Sequence, residues 1–457
     1  MCGIAGFIGP GARQKTQEMI CRIRHRGPDG IGIWSGSYNG QEAALGHAHL
    51  KIVGDICQPV SSDGMAITYN GELYNFQEFL QTDSDTEALA REILKNGIRS
   101  FIESAGVING DYAFALLDNS GLSLARDPVG VKPLYYGTSD DGFGFASEPK
   151  ALRAAGIHDI VVLSPGSVYS GGCQRKVTAI PAHDPQILDE QAAIAMLEPA
   201  FIKAVRSRVH SNSAVAFSGG IDCSLIGAIA SGLPLCTVGL KGSHDVRAAR
   251  HAAKLMGSEK RHIVYEVEEK EVSEVLPEVI YAVESYDPMT VSIAIPVYIL
   301  AREVRRSGYR VLLSGQGADE LFAGYARYEE SFRNGRLAEE LDHDLRHIYE
   351  VNLERDDAAT MAHGVELRVP YLDMSVINIA QKIDPSLKVY RDSKDYIRKY
   401  ILRKMSKNHL PHEISFAPKK AIQYGTSVQK SLERLARDNG YKGDLTGYFK
   451  SLYEVVL

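Results

Sequence analysis

Near residue 185 the hydrophobic pattern of this chain changes period, and that change decides what the chain can fold into. Up to about residue 180 the apolar residues come in short β-patterned runs, among them "GIAGFIG", "GIGIWSGS", "MAITYNGELYN", "YAFALLD", "LSLARD" and "PLYYGTS", punctuated by glycine and Asn-Gly. One helix interrupts them, predicted over Asp85–Asn96 with Ser84 as its cap. Turn residues then accumulate in "SPGSVYSGG", and "TAIPAHDPQ" reads as a linker. From about Asp189 helical periods alternate with short buried strands: "AAIAMLEPAFIKAVRSRV", "SAVAFSGG", "IDCSLIGAIASG", "PLCTVGL", "AARHAAKLMG". That alternation builds a parallel sheet covered by helices. Beyond about Leu341 the text reads mostly helical. The 457 residues therefore divide into a mixed sheet domain, expected at 1–180, and an α/β domain, expected at 181–457.

Composition excludes several classes of function. With 51 Lys+Arg against 57 Asp+Glu the net charge is −6, which argues against a general nucleic-acid binder. No apolar run reaches membrane-spanning length, and the N-terminus, which lacks a basic region and a long apolar stretch, reads as a strand rather than a signal peptide. Six cysteines without CxxC spacing make neither a disulfide framework nor a zinc signature, so a reducing cytoplasm is expected.

Cys2 stands directly behind the start methionine. If Met1 is removed, the freed α-amine, with an ordinary pKa of about 8, serves as a base for the thiol of the same residue. Attack on a carboxamide then needs donors for the developing oxyanion. The Asn70 side-chain amide and the Gly71 N–H in "YNGELYN" are candidates, although Asn70-Gly71 taken alone also reads as a type I′ hairpin turn. The "RHRGPDG" turn can brace the nucleophile, and Glu72 and Asp85 can accept hydrogen bonds from a substrate ammonium. His47 and His49 share one face of a strand, a pair suited to substrate contact, to packing or to a metal.

In the second half, "AVAFSGGIDCS" runs a buried strand into Ser218-Gly219-Gly220-Ile221-Asp222-Cys223-Ser224 and a helix. Glycines let backbone approach an anion closely, and a helix N-terminus offers free N–H groups to it. No GxxxxGK[ST] loop is present. A second strand-loop-helix, "YRVLLSGQGADELFAGYARY", places Ser314-Gly315 at a strand's C-terminal end, where open α/β sheets bind ligands. Asp319 and Glu320 follow as candidates for Mg²⁺-pyrophosphate, then a carboxylate with an arginine, Glu366 and Arg368, in "TMAHGVELRVPYLD".

Cys2-Gly3-Ile4, "RHRGPDG", "YNGELYN", "SDTE" and "LARDPVGVKPLYY" together resemble the class II glutamine amidotransferase domain over residues 1–165, an N-terminal-nucleophile hydrolase of layered αββα build. The loop at 218–224 resembles the pyrophosphate loop of ATP pyrophosphatases, and the order of motifs over about 190–430 resembles the glutamine-dependent asparagine synthetases. The resemblance implies that Cys2, Asn70 and Gly71 release ammonia from glutamine. It implies that His49, Ile52, Val53, Asn70, Gly71, Glu72 and Asp85 bind the glutamine. ATP would lie against Ala216, Ser218, Gly219, Gly220, Asp222, Cys223, Ser224, Val238, Ser314 and Gly315, with Mg²⁺ on Asp222 and Asp319. Gln316, Glu366 and Lys419 would act in forming aspartyl-AMP and in its capture by ammonia arriving through an internal passage. The implied partners are glutamine, aspartate or another carboxylate, and ATP, with a homodimer allowed and neither nucleic acid nor membrane.

Three positions depart from the pattern. His49 stands where the family usually has an Arg that grips the glutamine carboxylate. Gln316 replaces a Glu, and a neutral amide can act neither as base nor as charge. Ala417 replaces an Arg two residues before Lys419. The last two leave open an amide ligase acting on another carboxylate, of the β-lactam-synthetase kind; a homologue that binds glutamine or nucleotide with weak turnover is the reading from another class.

Overall fold

In a computed structural model, residues 2–54, 56–78, 80–393, 395–417 and 428–456 are described. They form two compact units, one of residues 1–179 with 361–365 and one of 180–360 with 366–457.

The first unit is built on two six-stranded antiparallel sheets. At the centre of one, β1 (Gly3–Ile8) pairs with β3 (Gln41–His49) on one side and β9 (Gly142–Ala146) on the other. Outside these lie β2 (Gly30–Tyr38) next to β3, and β8 (Tyr135–Ser139) and β10 (Asp159–Val162) beyond β9. The other sheet runs through β12 (Cys173–Lys176), β11 (Ser167–Ser170), β7 (Gly121–Arg126), β6 (Gly110–Asp118), β5 (Met65–Leu73) and β4 (Val60–Ser62).

Period-two alternation sorts the side chains of each strand between two cores. Ile4 and Leu45 meet Ala113, Ala115 and Leu124 between the sheets, whereas Ala5 and Phe7 turn outward to α1 (Ala12–Arg22) and α3 (Pro149–Ala154). On the far side Phe114 and Leu116 pack under α2 (Asp85–Ser104) through Leu89 and Ile93. The result is the αββα layering. Ser84 caps α2 through its hydroxyl, which accepts from Glu87 N at 3.3 Å. The helix does not stop at Asn96: Gly97, with φ 71°, kinks it and it continues to Ser104. The turn-rich stretch at 164–172 likewise contains a strand, β11.

The second unit holds a five-stranded parallel sheet in the order β15 (His262–Val267), β14 (Leu235–Leu240), β13 (Ser213–Ala216), β16 (Val311–Leu313), β17 (Glu366–Arg368). Around it run α4 (Glu190–Ser207), α5 (Ile221–Ile229), α6 (His244–Leu255), α7 (Glu269–Val283), α8 (Pro288–Arg306) and the short α9 (Ala318–Phe322). From β13 the chain first builds outward through β14 and β15, then crosses back to lay β16 on β13's other side. The boundary between β13 and β16 is thus a topological switch point, where the loops at the strands' C-terminal ends part and leave a crevice for a ligand. Beyond Leu341 helices dominate, but β17 and a small hairpin, Val389–Asp392 with Asp395–Arg398, interrupt them. Strands of three or four residues carry too little periodicity to stand out in a sequence. Among the described residues no helix is long and apolar enough to cross a membrane.

Candidate active sites

In the first unit Cys2 sits at the head of the central strand, 8% exposed. Its backbone nitrogen donates to Asn70 Oδ1 at 2.9 Å, and its Sγ lies 3.5 Å from the Leu50 N–H. Asn70 and Gly71 are interior residues of β5, opposite Ala113 and Tyr112 of β6, so the hairpin-turn reading is wrong. Sheet pairing also explains the glycine: a Cβ on Gly71 would stand 2.3 Å from the Asp111 carbonyl oxygen. With Oδ1 committed to Cys2, the Asn70 Nδ2 is fully buried and has no hydrogen-bond partner among the described residues. A buried amide N–H₂ left without an acceptor is costly. It can donate to an oxygen that a ligand brings.

A buried ion network fixes the strand end from behind. Arg26 Nε donates to the Cys2 carbonyl at 3.1 Å, and Arg26 Nη1 meets Glu148 Oε1 at 2.8 Å. His25 (3.1 Å) and Lys150 (2.9 Å) converge on the same carboxylate. Burial alone would raise the pKa of Glu148, but His25, Lys150 and Arg26 outweigh it and hold the carboxyl well below the usual 4.5. A folded-state pKa below the unfolded value means that this network's contribution is complete above pH 4.5 and is lost as the pH falls further. Glu148→Gln should cost about 3–5 kcal/mol, because it leaves the buried Arg26 and Lys150 facing a neutral group. It should also flatten the acid limb of stability against pH. Denaturant unfolding at pH 4 and pH 7 checks both; an unchanged acid limb would refute the network's role.

The other residues expected at glutamine lie around this point with different degrees of access. His49, at the end of β3, is half-buried, as are Ile52 and Val53 in the following loop. Glu72 lies two residues beyond Asn70 on the same face of β5 and is buried. Asp85 is 3% exposed and serves the fold: its Oδ2 accepts from the Tyr69 hydroxyl (2.8 Å) and Leu73 N (3.2 Å). The "LARDPVGVKPLYY" motif is likewise structural here, with Asp127 accepting the N–H groups of Val129, Gly130, Val131 and Lys132.

In the second unit the switch point is lined by the two expected loops. Ala216 closes β13, Val238 lies in β14, and Ser218–Gly220 lead into α5, whose first turn carries Asp222, Cys223 and Ser224. Gly219, at φ 78°, lies so close to α6 that a Cβ would stand 2.7 Å from the Ala248 carbonyl oxygen. Gly315 follows β16, and there a Cβ would be 2.9 Å from that of Asp222, so the two loops touch. Asp222 and Asp319 converge on one cation, Lys399. Its Nζ lies 2.7 and 2.6 Å from the two oxygens of Asp222 and 2.8 Å from Asp319 Oδ1. Burial would lower the pKa of Lys399, but the two aspartates overcome that and raise it.

Gln316 donates its side-chain amide to Asp356, which also accepts from Arg355 Nε at 2.8 Å. Glu366 stands apart from the loops. It opens β17, is fully buried, and pairs with Arg368 Nε at 2.7 Å. In parallel register Glu366 lies opposite Val311, whereas Ser314 and Gly315 leave from the other end of β16. Lys419 lies outside the described residues. Sequence reasoning missed Lys399, Glu148 and Asp356. Lys399 sits in the basic run "RDSKDYIRKYILRK", where nothing distinguishes it from Arg398, Arg403 or Lys404 until tertiary structure brings it to the carboxylates.

A layered unit with a cysteine at the head of its central strand, joined in one chain to a parallel sheet with a glycine loop at its switch point, defines an amidotransferase-type ligase. Comparison with known proteins gives the family. The family described as "Glutamine amidotransferase domain" matches residues 1–163, and "Asparagine synthase" matches 196–342 and 333–451. Asparagine synthetase (glutamine-hydrolyzing) 2 of Arabidopsis thaliana is 32% identical over 93% of this chain and 79% of its own. The enzyme of that name from Oryza sativa is 33% identical over 93% and 77%, and a Methanocaldococcus jannaschii relative is 32% identical over 96% of both chains. The chain belongs to the glutamine-hydrolysing asparagine synthetase family. A solved glutamine phosphoribosylpyrophosphate amidotransferase from B. subtilis aligns at 15% identity over 88% of this chain and 100% of that one with a TM-score of 0.34, too loose a likeness to carry argument.

Proposed function

We propose that the protein makes asparagine from aspartate, ATP and glutamine. The observation that carries the first half is Asn70, which binds the Cys2 nitrogen through Oδ1 and leaves Nδ2 buried with no partner among the described residues. With Met1 removed, the Cys2 α-amine takes the thiol proton and the thiolate attacks the glutamine side-chain amide. Asn70 Nδ2 and the Gly71 N–H receive the oxyanion. Collapse expels ammonia and leaves a glutamyl thioester, which water hydrolyses. In the second unit the β-carboxylate of aspartate attacks the α-phosphorus of ATP, giving aspartyl-AMP and pyrophosphate. Ammonia then displaces AMP to give asparagine.

Ser218–Ser224 and Ser314–Gly315 would hold the nucleotide at the switch point. Asp222 and Asp319 are hard oxygen donors that already share one cation, which fits them to Mg²⁺ once Lys399 turns to the phosphates. When bound, Mg²⁺ would neutralise charge on the departing pyrophosphate. Six cysteines with no disulfide among the described residues agree with a reducing compartment, the cytoplasm.

Gln316 favours a second reading, transfer to a carboxylate other than aspartate, because its amide is tied to Asp356 and brings no charge to the acyl-adenylate. One assay separates the two. Protein with ATP, Mg²⁺, glutamine and a panel of carboxylates is scored for AMP, pyrophosphate and amide product. Amide from aspartate alone supports asparagine synthesis, and amide from another acid alone refutes it.

His49 bears on glutamine affinity. An imidazole offers a single contact in place of an arginine fork, a difference of about 1.5–3 kcal/mol. His49→Arg should therefore lower the glutamine KM by roughly tenfold to a hundredfold without changing ammonia-dependent turnover. An unchanged KM would remove His49 from the glutamine site.

A further inference from the structure

We propose that Cys2, His47 and His49 form a binding site for a borderline-soft divalent cation of the Zn²⁺ type, and that its occupancy switches off glutamine use. One ligand atom from each of the three residues lies within 4.8 Å of the others. A tetrahedral ion with bonds of 2.0–2.3 Å holds its donors about 3.5 Å apart, so small side-chain rotations close the site. The frame is rigid: His47 and His49 are alternate residues on one face of β3, and β1 pairs with that strand at Gly3 opposite Ala48.

His47 is fully buried, and neither ring nitrogen has a well-formed hydrogen-bond partner among the described residues. A buried imidazole without a well-formed hydrogen bond can take a ligand. Burial, aided by His49, pushes its pKa down to about 3, while the Tyr69 backbone opposes the shift only in part. A thiolate with two imidazoles selects Zn²⁺, Co²⁺ or copper over Mg²⁺ and Ca²⁺, so the magnesium that ATP chemistry requires would not fill it. Binding displaces the thiol proton to solvent and engages the sulfur lone pair. The fourth position is left to water or, with Met1 removed, to the Cys2 amine in a five-membered chelate.

The site itself stands on geometry. Its effect on glutamine use rests on Cys2 being the nucleophile, and the test separates the two. The full chain is titrated with Co²⁺ and followed by absorption. The expected result is a thiolate-to-Co²⁺ charge-transfer band with tetrahedral d–d bands, saturating at one equivalent and displaced by Zn²⁺. Cys2→Ser should abolish the band, and His49→Gln should weaken binding by roughly tenfold or more. A band that survives in Cys2→Ser would put the metal on an exposed thiol, Cys21, Cys57 or Cys173, and overturn the site; so would the absence of any band in the wild type. In a second arm, buffered Zn²⁺ should depress glutamine-dependent synthesis by roughly tenfold or more and spare ammonia-dependent synthesis. Equal loss of both would overturn the switch. If the metal-free protein has no glutaminase activity, the reading of Cys2 fails while the Co²⁺ spectrum still decides the site.

Discussion

Cys2→Ala is expected to abolish glutamine-dependent synthesis, by on the order of 10⁴-fold or more, and to leave ammonia-dependent synthesis intact. The residue touches two kinds of machinery, and the substitution removes only one. The strand end is held through backbone atoms: the Cys2 nitrogen on Asn70 and the Cys2 carbonyl on Arg26. Alanine keeps both bonds and takes away only sulfur. Without a nucleophile the glutamine amide has no low-barrier path to ammonia, since the oxyanion that Asn70 and Gly71 are proposed to stabilise no longer forms. Free ammonia bypasses that step altogether. The measurement is steady-state synthesis with each nitrogen donor in parallel, with the α-amine of the wild-type protein confirmed by mass spectrometry. Loss of both activities would show that the two reactions do not run on separate machinery.

The class of both units was legible in the sequence for a physical reason. Period-two runs broken by turn residues build antiparallel sheets, and strand–helix alternation builds a parallel one; each pattern is local and repeats often enough to read. β17 and the hairpin at 389–398 escaped because three or four residues hold no repeat, and the kink at Gly97 escaped because glycine before a continuing helix looks like an end. At the candidate sites, motif residues such as Cys2, Asn70, Asp222 and Asp319 could be marked as candidates in advance. What could not be read was how they are held. Glu148, 146 positions beyond Cys2, organises the base of that site, and Lys399, 177 beyond Asp222, neutralises the carboxylates. Such partners are chosen by tertiary packing among many equivalent charges, and no local spacing marks them.

Lys399 makes the last expectation the sharpest for the second unit. It is 2% exposed and bridges Asp222 and Asp319, so replacing it with methionine leaves two carboxylates facing one another across the volume of a single ammonium. Removing one partner from a buried charge cluster costs about 3–5 kcal/mol, and in a unit of this size that lowers the melting temperature by roughly 10 °C. Asp222→Ala should behave differently. Lys399 keeps Asp319, the fold loses less, and yet AMP and pyrophosphate formation stops, because the carboxylate that would hold the metal on pyrophosphate is gone; glutaminase activity persists. The two substitutions therefore separate folding from chemistry at one cluster. Mg²⁺ supplies the discriminating measurement, taken without ATP. In Lys399→Met a divalent ion can take the place of the ammonium, so millimolar Mg²⁺ should restore much of the lost melting temperature, whereas the wild type, with its own cation in place, should scarcely respond. A Lys399→Met protein that melts like the wild type and ignores Mg²⁺ would mean that Asp222 and Asp319 do not share a cation, and the assignment of the metal to them would fall with it.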